Sequence, residues 1–207
     1  MTTAVKICGI TRVEDALIAA QSGAHALGFV FHASSARNIA PARAAEIIRA
    51  LPPLITAVGL FVNADASDIE RVLEQVPLNL LQFHGEETPQ FCDAFRVPYL
   101  KAVRVKAGVD LLQYARIYGV ARGLLLDAFV TGAHGGTGTA FDWNLIPSGL
   151  PLPVLLSGGL NSANVGDAIR RVRPWAVDVS SGVEARPGIK DAHKIAAFFQ
   201  GVRDADV

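Results

Sequence analysis

Ala4-Val5-Lys6-Ile7-Cys8-Gly9-Ile10-Thr11 is the stretch on which the fold turns. Val5 and Ile7 alternate with Lys6 and Cys8. On an extended chain, two aliphatic side chains then share one face, and an ammonium and a thiol share the other. Thr11-Arg12-Val13-Glu14 follows in capping-box form, which predicts a helix start with the Thr hydroxyl and the Glu carboxylate on exposed backbone N–H groups. A buried strand running straight into a helix is the opening of a βα unit. A thiol at the carboxyl end of such a strand stands where parallel sheets and barrels keep their active sites. A free cysteine taken alone is more often a small packing residue, so the rest of the chain has to decide.

Working outward, apolar stripes recur at i, i+3, i+4, i+7. They are Val13, Ala16, Leu17, Ala20; Ala44, Ile47, Ile48, Leu51; Ile69, Val72, Leu73, Val76; Val165, Ala168, Ile169, Val172; and Ala192, Ile195, Ala196, Phe199. One stripe per helix means that each helix covers something on one side only. Pro41 suits the first turn of the second helix. Short apolar runs of strand length lie between them, at 26–31, 55–62, 78–83, 99–103, 123–126, 154–156 and 176–179. With 4–7 they make eight. Weaker helical segments fill 89–95, 110–118 and a turn near 143–146.

Strands alternating with helices predict parallel pairing through right-handed crossovers. Spread over 207 residues, eight units take about 26 residues each, which fits an α/β fold of the compact (β/α)8 TIM-barrel type. A doubly wound open sheet is the alternative, and it normally uses fewer strands at this length. No linker or low-complexity segment divides the chain, so residues 1–207 read as a single barrel domain.

In a barrel, alternate strand residues point inward and the others pack under the helices. The inward set here is unusually polar: Lys6 and Cys8, Gln82 and His84, Asp127, and Asp178 and Ser180. Buried polar groups need partners or a ligand. Cys8, His84, Asp127 and Ser180 lie nearest the carboxyl ends of their strands and would line one mouth. The first and eighth strands are neighbours in a closed barrel, so Lys6 and Asp178 are expected to pair below Cys8. That pair could serve catalysis or only fix the core. In either case the cation should favour the Cys8 thiolate.

Two turns point to an anion. Ser157-Gly158-Gly159-Leu160 follows the seventh strand and Ser180-Ser181-Gly182-Val183 the eighth. Glycines there let backbone N–H groups approach an anion closely, and (β/α)8 enzymes commonly hold a phosphate in those two loops. Gly158, Gly159, Ser180, Ser181 and Gly182 are the candidate phosphate site. His134-Gly135-Gly136-Thr137-Gly138 follows Asp127 and reads either as a cover for the mouth or as a connector. Arg37, in the loop after the second strand, could clamp a carboxylate with its planar fork; His84 is a second candidate for that group. Cys92 sits among helical residues with Phe91 and Phe95 and reads as packing.

The remaining features mostly exclude. Nineteen basic residues balance nineteen acidic ones, so no basic field invites nucleic acid. Two cysteines make no disulfide framework and fit a reducing compartment. The first ten residues lack a signal-peptide core, and no apolar run reaches the ~20 residues of a membrane helix. The histidines show no metal-ligand spacing. The expectation is a cytoplasmic protein that acts on a small molecule, with no metal, no nucleic-acid or membrane partner, and no obligatory protein partner.

The chain resembles the phosphoribosylanthranilate isomerases of tryptophan biosynthesis. The matching segments are Lys6-Ile7-Cys8-Gly9-Ile10-Thr11, Gly28-Phe29-Val30-Phe31, Phe61-Val62-Asn63, Gln82-Phe83-His84-Gly85-Glu86, Gly135-Gly136-Thr137-Gly138 with Phe141-Asp142-Trp143, Ser157-Gly158-Gly159-Leu160, and Val177-Asp178-Val179-Ser180-Ser181-Gly182-Val183-Glu184. Ala36 departs from the family's usual Pro or Lys, and Phe83 from its usual Leu. The resemblance implies a (β/α)8 barrel and a cofactor-independent Amadori rearrangement of an aminoaldose to an aminoketose. It further implies Cys8 as general base, Asp127 as general acid, and Arg37 on the anthranilate carboxylate, with Lys6, Gln82 and Asp178 in support. For this the acid must hold a proton and the thiol must lose one, against reference values of about 3.9 and 8.5.

Three other readings stand beside it. Indole-glycerol-phosphate synthase uses inward lysines and glutamates that this chain lacks as a set. Histidine-pathway barrels carry an aspartate where Cys8 stands. A non-catalytic sugar-phosphate-binding barrel would have had no need to keep both Cys8 and Asp127.

Overall fold

The structure, a computed structural model, describes residues 2–128 and 142–206. Eight parallel strands close into a barrel in sequence order: β1 (Ala4–Cys8), β2 (Ala26–Val30), β3 (Thr56–Phe61), β4 (Leu80–Phe83), β5 (Tyr99–Val105), β6 (Gly123–Ala128), β7 (Val154–Leu156) and β8 (Ala176–Val179). Closure is made by β1 against β8, with Lys6 in register with Asp178 and Ile7 with Val179. The eight runs read from the sequence are these eight strands, and the open-sheet alternative is excluded. The Gly-rich stretch after Asp127 lies outside the described residues.

Seven helices surround the described barrel: α1 (Val13–Gln21), α2 (Pro41–Arg49), α3 (Ala66–Gln75), α4 (Pro89–Asp93), α5 (Leu111–Ile117), α6 (Val165–Val172) and α7 (Ala192–Ala205). Trp143–Leu145 forms a single 3-10 turn before β7. Pro41 is at the first position of α2, where its missing N–H costs nothing. Asp110 and Asp191 cap α5 and α7 by accepting from the N–H groups of Gln113, and of His193 and Lys194. None of the described helices is long and apolar enough to cross a membrane.

The capping box expected at α1 does not form. Arg12 takes the cap position without a side-chain cap bond. The Thr11 hydroxyl instead donates to the Gly188 carbonyl, far along the chain, and Asp15 accepts from Arg12 Nη2 at 2.6 Å and from Lys190 N at 2.9 Å. A local motif has given way to tertiary partners.

The main apolar core fills the space between sheet and helices. Ile7, Leu27, Phe29, Phe61, Leu81, Phe83, Leu156 and Val177 meet Ala16, Ile47, Ile69, Ala168 and Ile195 there. Burial of each large aliphatic or aromatic contributes about 1.5–3 kcal/mol. Phe83 faces the helices, its ring 5.6 Å from Tyr99 and 5.8 Å from Phe95. Cys92 is packed in the same layer, and burial pushes its thiol up to about 12. A separate inner layer, Leu100, Ala102, Leu125, Leu155 and Ala176, plugs the barrel below the mouth. The polar residues above that plug are left facing one end.

Candidate active site

Cys8 ends β1 on the inward face, against Val30, Leu60 and Val62. Gly28, its register partner on β2, makes the room. A methyl group on Gly28 would stand 2.7 Å from Cys8 Sγ and 3.1 Å from Lys6 Nζ. Lys6 lies one layer down and donates to Asp178 Oδ1 at 2.7 Å, as the strand order predicts; Asp178 Oδ2 also accepts from Ser157 Oγ at 3.2 Å. Both members of the pair are buried, at 2 % and 5 % exposure. Burial alone would pull the Lys6 ammonium down, but Asp178 and Cys8 together hold it above the ordinary lysine value.

Lys6 favours the Cys8 thiolate, the direction expected of a nearby cation, and Lys190 adds to that pull. Burial pushes the thiol above its ordinary value and outweighs the downward pull of Lys6 and Lys190; Asp178 adds to the rise. The cations are present, but the apolar wall beside the sulfur costs the thiolate more than they return.

Asp127 is the last residue but one of β6, on the inward face and 3 % exposed, with its Oδ1 accepting from Ala128 N at 2.9 Å. Its Oδ2 lies 3.1 Å from His84 Nε2, and His84 Nδ1 lies 2.9 Å from Gln82 Nε2. The three inward residues expected at the mouth of β4 and β6 therefore form one chain, Gln82 to His84 to Asp127. Both nitrogens of His84 are engaged within that chain, so in this structure the ring orients Asp127.

Gly158 and Gly159, after β7, have φ of +83° and +67°, which a side chain would strain. Ser180 follows β8, and Ser181–Val183 makes a short 3-10 turn. The two loops are in contact: a Cβ on Gly182 would fall 1.9 Å from the Leu160 carbonyl oxygen. The candidate phosphate residues are thus brought together beside the strand ends that carry Cys8 and Asp127.

Arg37 reaches the same end, half-buried, and pairs with Glu184. The pair is bidentate, Nε to Oε1 at 2.8 Å and Nη2 to Oε2 at 2.7 Å. Glu184 opens a small hairpin, β9 (Glu184–Arg186) with β10 (Ile189–Lys190). Lys190, buried in the hairpin, donates to Glu184 Oε1 at 2.9 Å, to Cys8 O at 2.5 Å and to Ser180 O at 3.2 Å. Burial would raise the Glu184 carboxyl, but Arg37 and Lys190 hold it below the usual carboxylate range.

Sequence reasoning gave no role to Glu184 or Lys190. It also missed a second buried pair. Lys101 faces the helices from β5, where an apolar residue is expected. It donates to Glu87 Oε2 at 2.8 Å and to Gly85 O at 2.6 Å, while Glu87 accepts from the N–H groups of Asn63 and Gly85. This cluster fixes the loop that follows His84. A charged residue at an outward strand position, with an acid 14 residues earlier, was the available signal.

The opposite end of the barrel holds a cavity of about 730 Å³, lined by Ala4, Thr56, Leu80, Leu100 and Trp175 among others. No thiol or carboxylate is among its lining residues. Among the described residues, no group of His, Cys, Asp and Glu has the arrangement to hold a metal ion.

The family model described as N-(5'phosphoribosyl)anthranilate (PRA) isomerase matches residues 5–201. A relative from Nitrosospira multiformis, an N-(5'-phosphoribosyl)anthranilate isomerase, is 60 % identical over 202 residues, covering 98 % of this chain and 97 % of its own. One of the same description from Pseudomonas putida KT2440 is 56 % identical over 200 residues, 97 % of each chain. Among solved structures, the phosphoribosyl anthranilate isomerase of Thermus thermophilus superposes with TM-score 0.89 at 36 % identity, over 98 % of this chain and 99 % of that one. Another phosphoribosyl anthranilate isomerase, in complex with reduced 1-(o-carboxyphenylamino)-1-deoxyribulose 5-phosphate, superposes with TM-score 0.84 at 43 % identity, over 98 % and 100 %.

Proposed function

The chain belongs to the N-(5'-phosphoribosyl)anthranilate isomerase family, and from that premise we propose that its barrel mouth isomerises N-(5'-phosphoribosyl)anthranilate to 1-(o-carboxyphenylamino)-1-deoxyribulose 5-phosphate, with Cys8 as base and Asp127 as acid. The reaction is an aldose–ketose isomerisation of tryptophan biosynthesis. It is redox-neutral within the substrate: C1 is reduced as C2 is oxidised.

The observation that carries the residue roles is a buried thiol and a buried carboxyl facing one mouth from β1 and β6, the thiol influenced by Lys6 and the carboxyl beside His84. Asp127 gives its proton to the ribose ring oxygen, and the C1–O bond breaks to leave a Schiff base. The Cys8 thiolate then takes the proton from C2, giving an enolamine that tautomerises to the ketone. Each group of this kind is typically worth about 10²–10⁴ in rate. His84, fixed by Gln82, keeps the Asp127 carboxyl aimed. Lys6 supplies the positive charge nearest to the thiolate as it forms. The loops at Gly158-Gly159 and Ser180-Ser181-Gly182 take the phosphate on backbone amides, and Arg37 takes the anthranilate carboxylate. Two free thiols and no disulfide suit a cytoplasmic setting.

The test is turnover of phosphoribosylanthranilate by the purified protein in a chelator-containing buffer with no added cofactor, followed by loss of anthranilate fluorescence. Turnover above the spontaneous rate is the expected result. Tight binding without turnover would instead identify a non-catalytic sugar-phosphate-binding barrel.

A further inference from the structure

Arg37, the cation proposed for the substrate carboxylate, is already held by a protein carboxylate. The Glu184 fork takes Nε and one hydrogen of Nη2. Of the five guanidinium N–H groups, this leaves the second on Nη2 and the pair on Nη1. Glu184 is itself pinned, because Lys190 Nζ and the Gly188 amide both donate to Oε1, at 2.9 Å and 3.2 Å. The Arg37 stem lies across the end of β1: a Cβ on Gly9 would fall 2.5 Å from Arg37 Cδ and 3.1 Å from Ser180 Oγ. Arg37 is therefore fixed in plane and in place beside Cys8 and the loop after β8. The charges of Arg37, Lys190 and Glu184 sum to a single positive charge, which one carboxylate balances.

We propose that Glu184 is a positioning residue that gives the mouth its preference for a carboxylate-bearing aryl amine, by holding Arg37 with one edge presented and by cancelling the second positive charge of the cluster. Without Glu184, Arg37 rotates freely and the cluster carries two positive charges, a better match for a phosphate dianion than for a carboxylate. Selectivity for the end of the substrate that lands there is then lost. The inference rests on the role proposed for Arg37.

The experiment compares two substrates, N-(5'-phosphoribosyl)anthranilate and N-(5'-phosphoribosyl)aniline, which lacks only the carboxylate. Glu184→Gln is expected to raise KM for the anthranilate compound about tenfold, to leave kcat within about threefold, and to change KM for the aniline compound by less than about twofold, as loss of one oriented charge-assisted contact does. An equal KM rise for both compounds overturns the proposal. Arg37→Ala, measured in parallel, separates the two layers of inference. If Arg37→Ala fails to discriminate the two compounds, the role of Arg37 falls and that of Glu184 with it. If Arg37→Ala discriminates and Glu184→Gln does not, only the Glu184 inference falls. Should Glu184→Gln not fold, Glu184→Asp keeps a charge near Lys190 but is too short to span both Arg37 donors. It is expected to show the same selective KM rise with an unchanged circular dichroism spectrum, and wild-type selectivity in that variant also overturns the proposal.

Discussion

Lys6→Met is the sharpest perturbation of the barrel interior. Methionine fills nearly the same volume, so the change removes the charge rather than the packing. What it leaves is Asp178, 5 % exposed, with Ser157 Oγ at 3.2 Å as its remaining side-chain partner. Breaking a buried pair by removing one partner costs about 3–5 kcal/mol, because the other charge stays unpaired. At about 2–4 °C per kcal/mol for a chain of this size, Tm should fall by about 6–20 °C. Urea unfolding followed by circular dichroism, with a thermal scan in parallel, measures both quantities. The double variant Lys6→Met/Asp178→Leu removes the stranded charge and should regain much of the loss. A decrease below about 1 kcal/mol in the single variant, the level of an exposed pair, would refute the picture of a desolvated pair beneath the thiol. So would a double variant no more stable than the single one.

The pH profile follows from Cys8. Its thiol is held above its ordinary value by burial, and the base is the ionised form. The reactive form also needs the proton on Asp127, so the thiol's ionisation is read in Asp127→Asn, where the acid no longer titrates: residual kcat/KM, which reports the free enzyme, should still be increasing past pH 8 in that variant, and a plateau already reached by pH 7 would contradict it. The phosphate loops make a binding prediction. Inorganic phosphate should compete with substrate, and Gly182→Val, whose Cβ would meet the Leu160 carbonyl oxygen at 1.9 Å, should raise KM far more than it lowers kcat; steady-state kinetics on a variant checked for folding reads both.

Much of the fold was legible because the barrel writes itself into the sequence twice. The period-2 alternation of β1, β4, β6 and β8 separated inward polar from outward apolar residues, and the 3.6-residue stripes marked the covering helices. Strand ends fell within a residue or two for most strands, and the β1–β8 closure alone was enough to pair Lys6 with Asp178. What stayed hidden was set by contacts across long sequence distances. Thr11 and Glu14 satisfy the capping-box pattern, yet Gly188, 177 residues on, takes the Thr11 hydroxyl. Glu184 ends the last of the matching segments, but nothing in its spacing says that it faces Arg37, 147 residues earlier. The extent to which burial opposes the Cys8 thiolate was not legible, because Val30, Leu60 and Val62 are brought against the sulfur only when the barrel closes.

The most direct measurement is kcat for phosphoribosylanthranilate with the wild-type chain, Cys8→Ala and Asp127→Asn, with binding of the reduced product analogue measured alongside. Both substitutions are small and lie at strand ends, so folded proteins are expected. The account predicts that kcat falls by about 10²-fold or more in each variant, the usual size of a lost general base or acid, while the analogue still binds to both. Near wild-type turnover in either variant would remove that residue from the chemistry, and lost turnover together with lost analogue binding would show it to be structural.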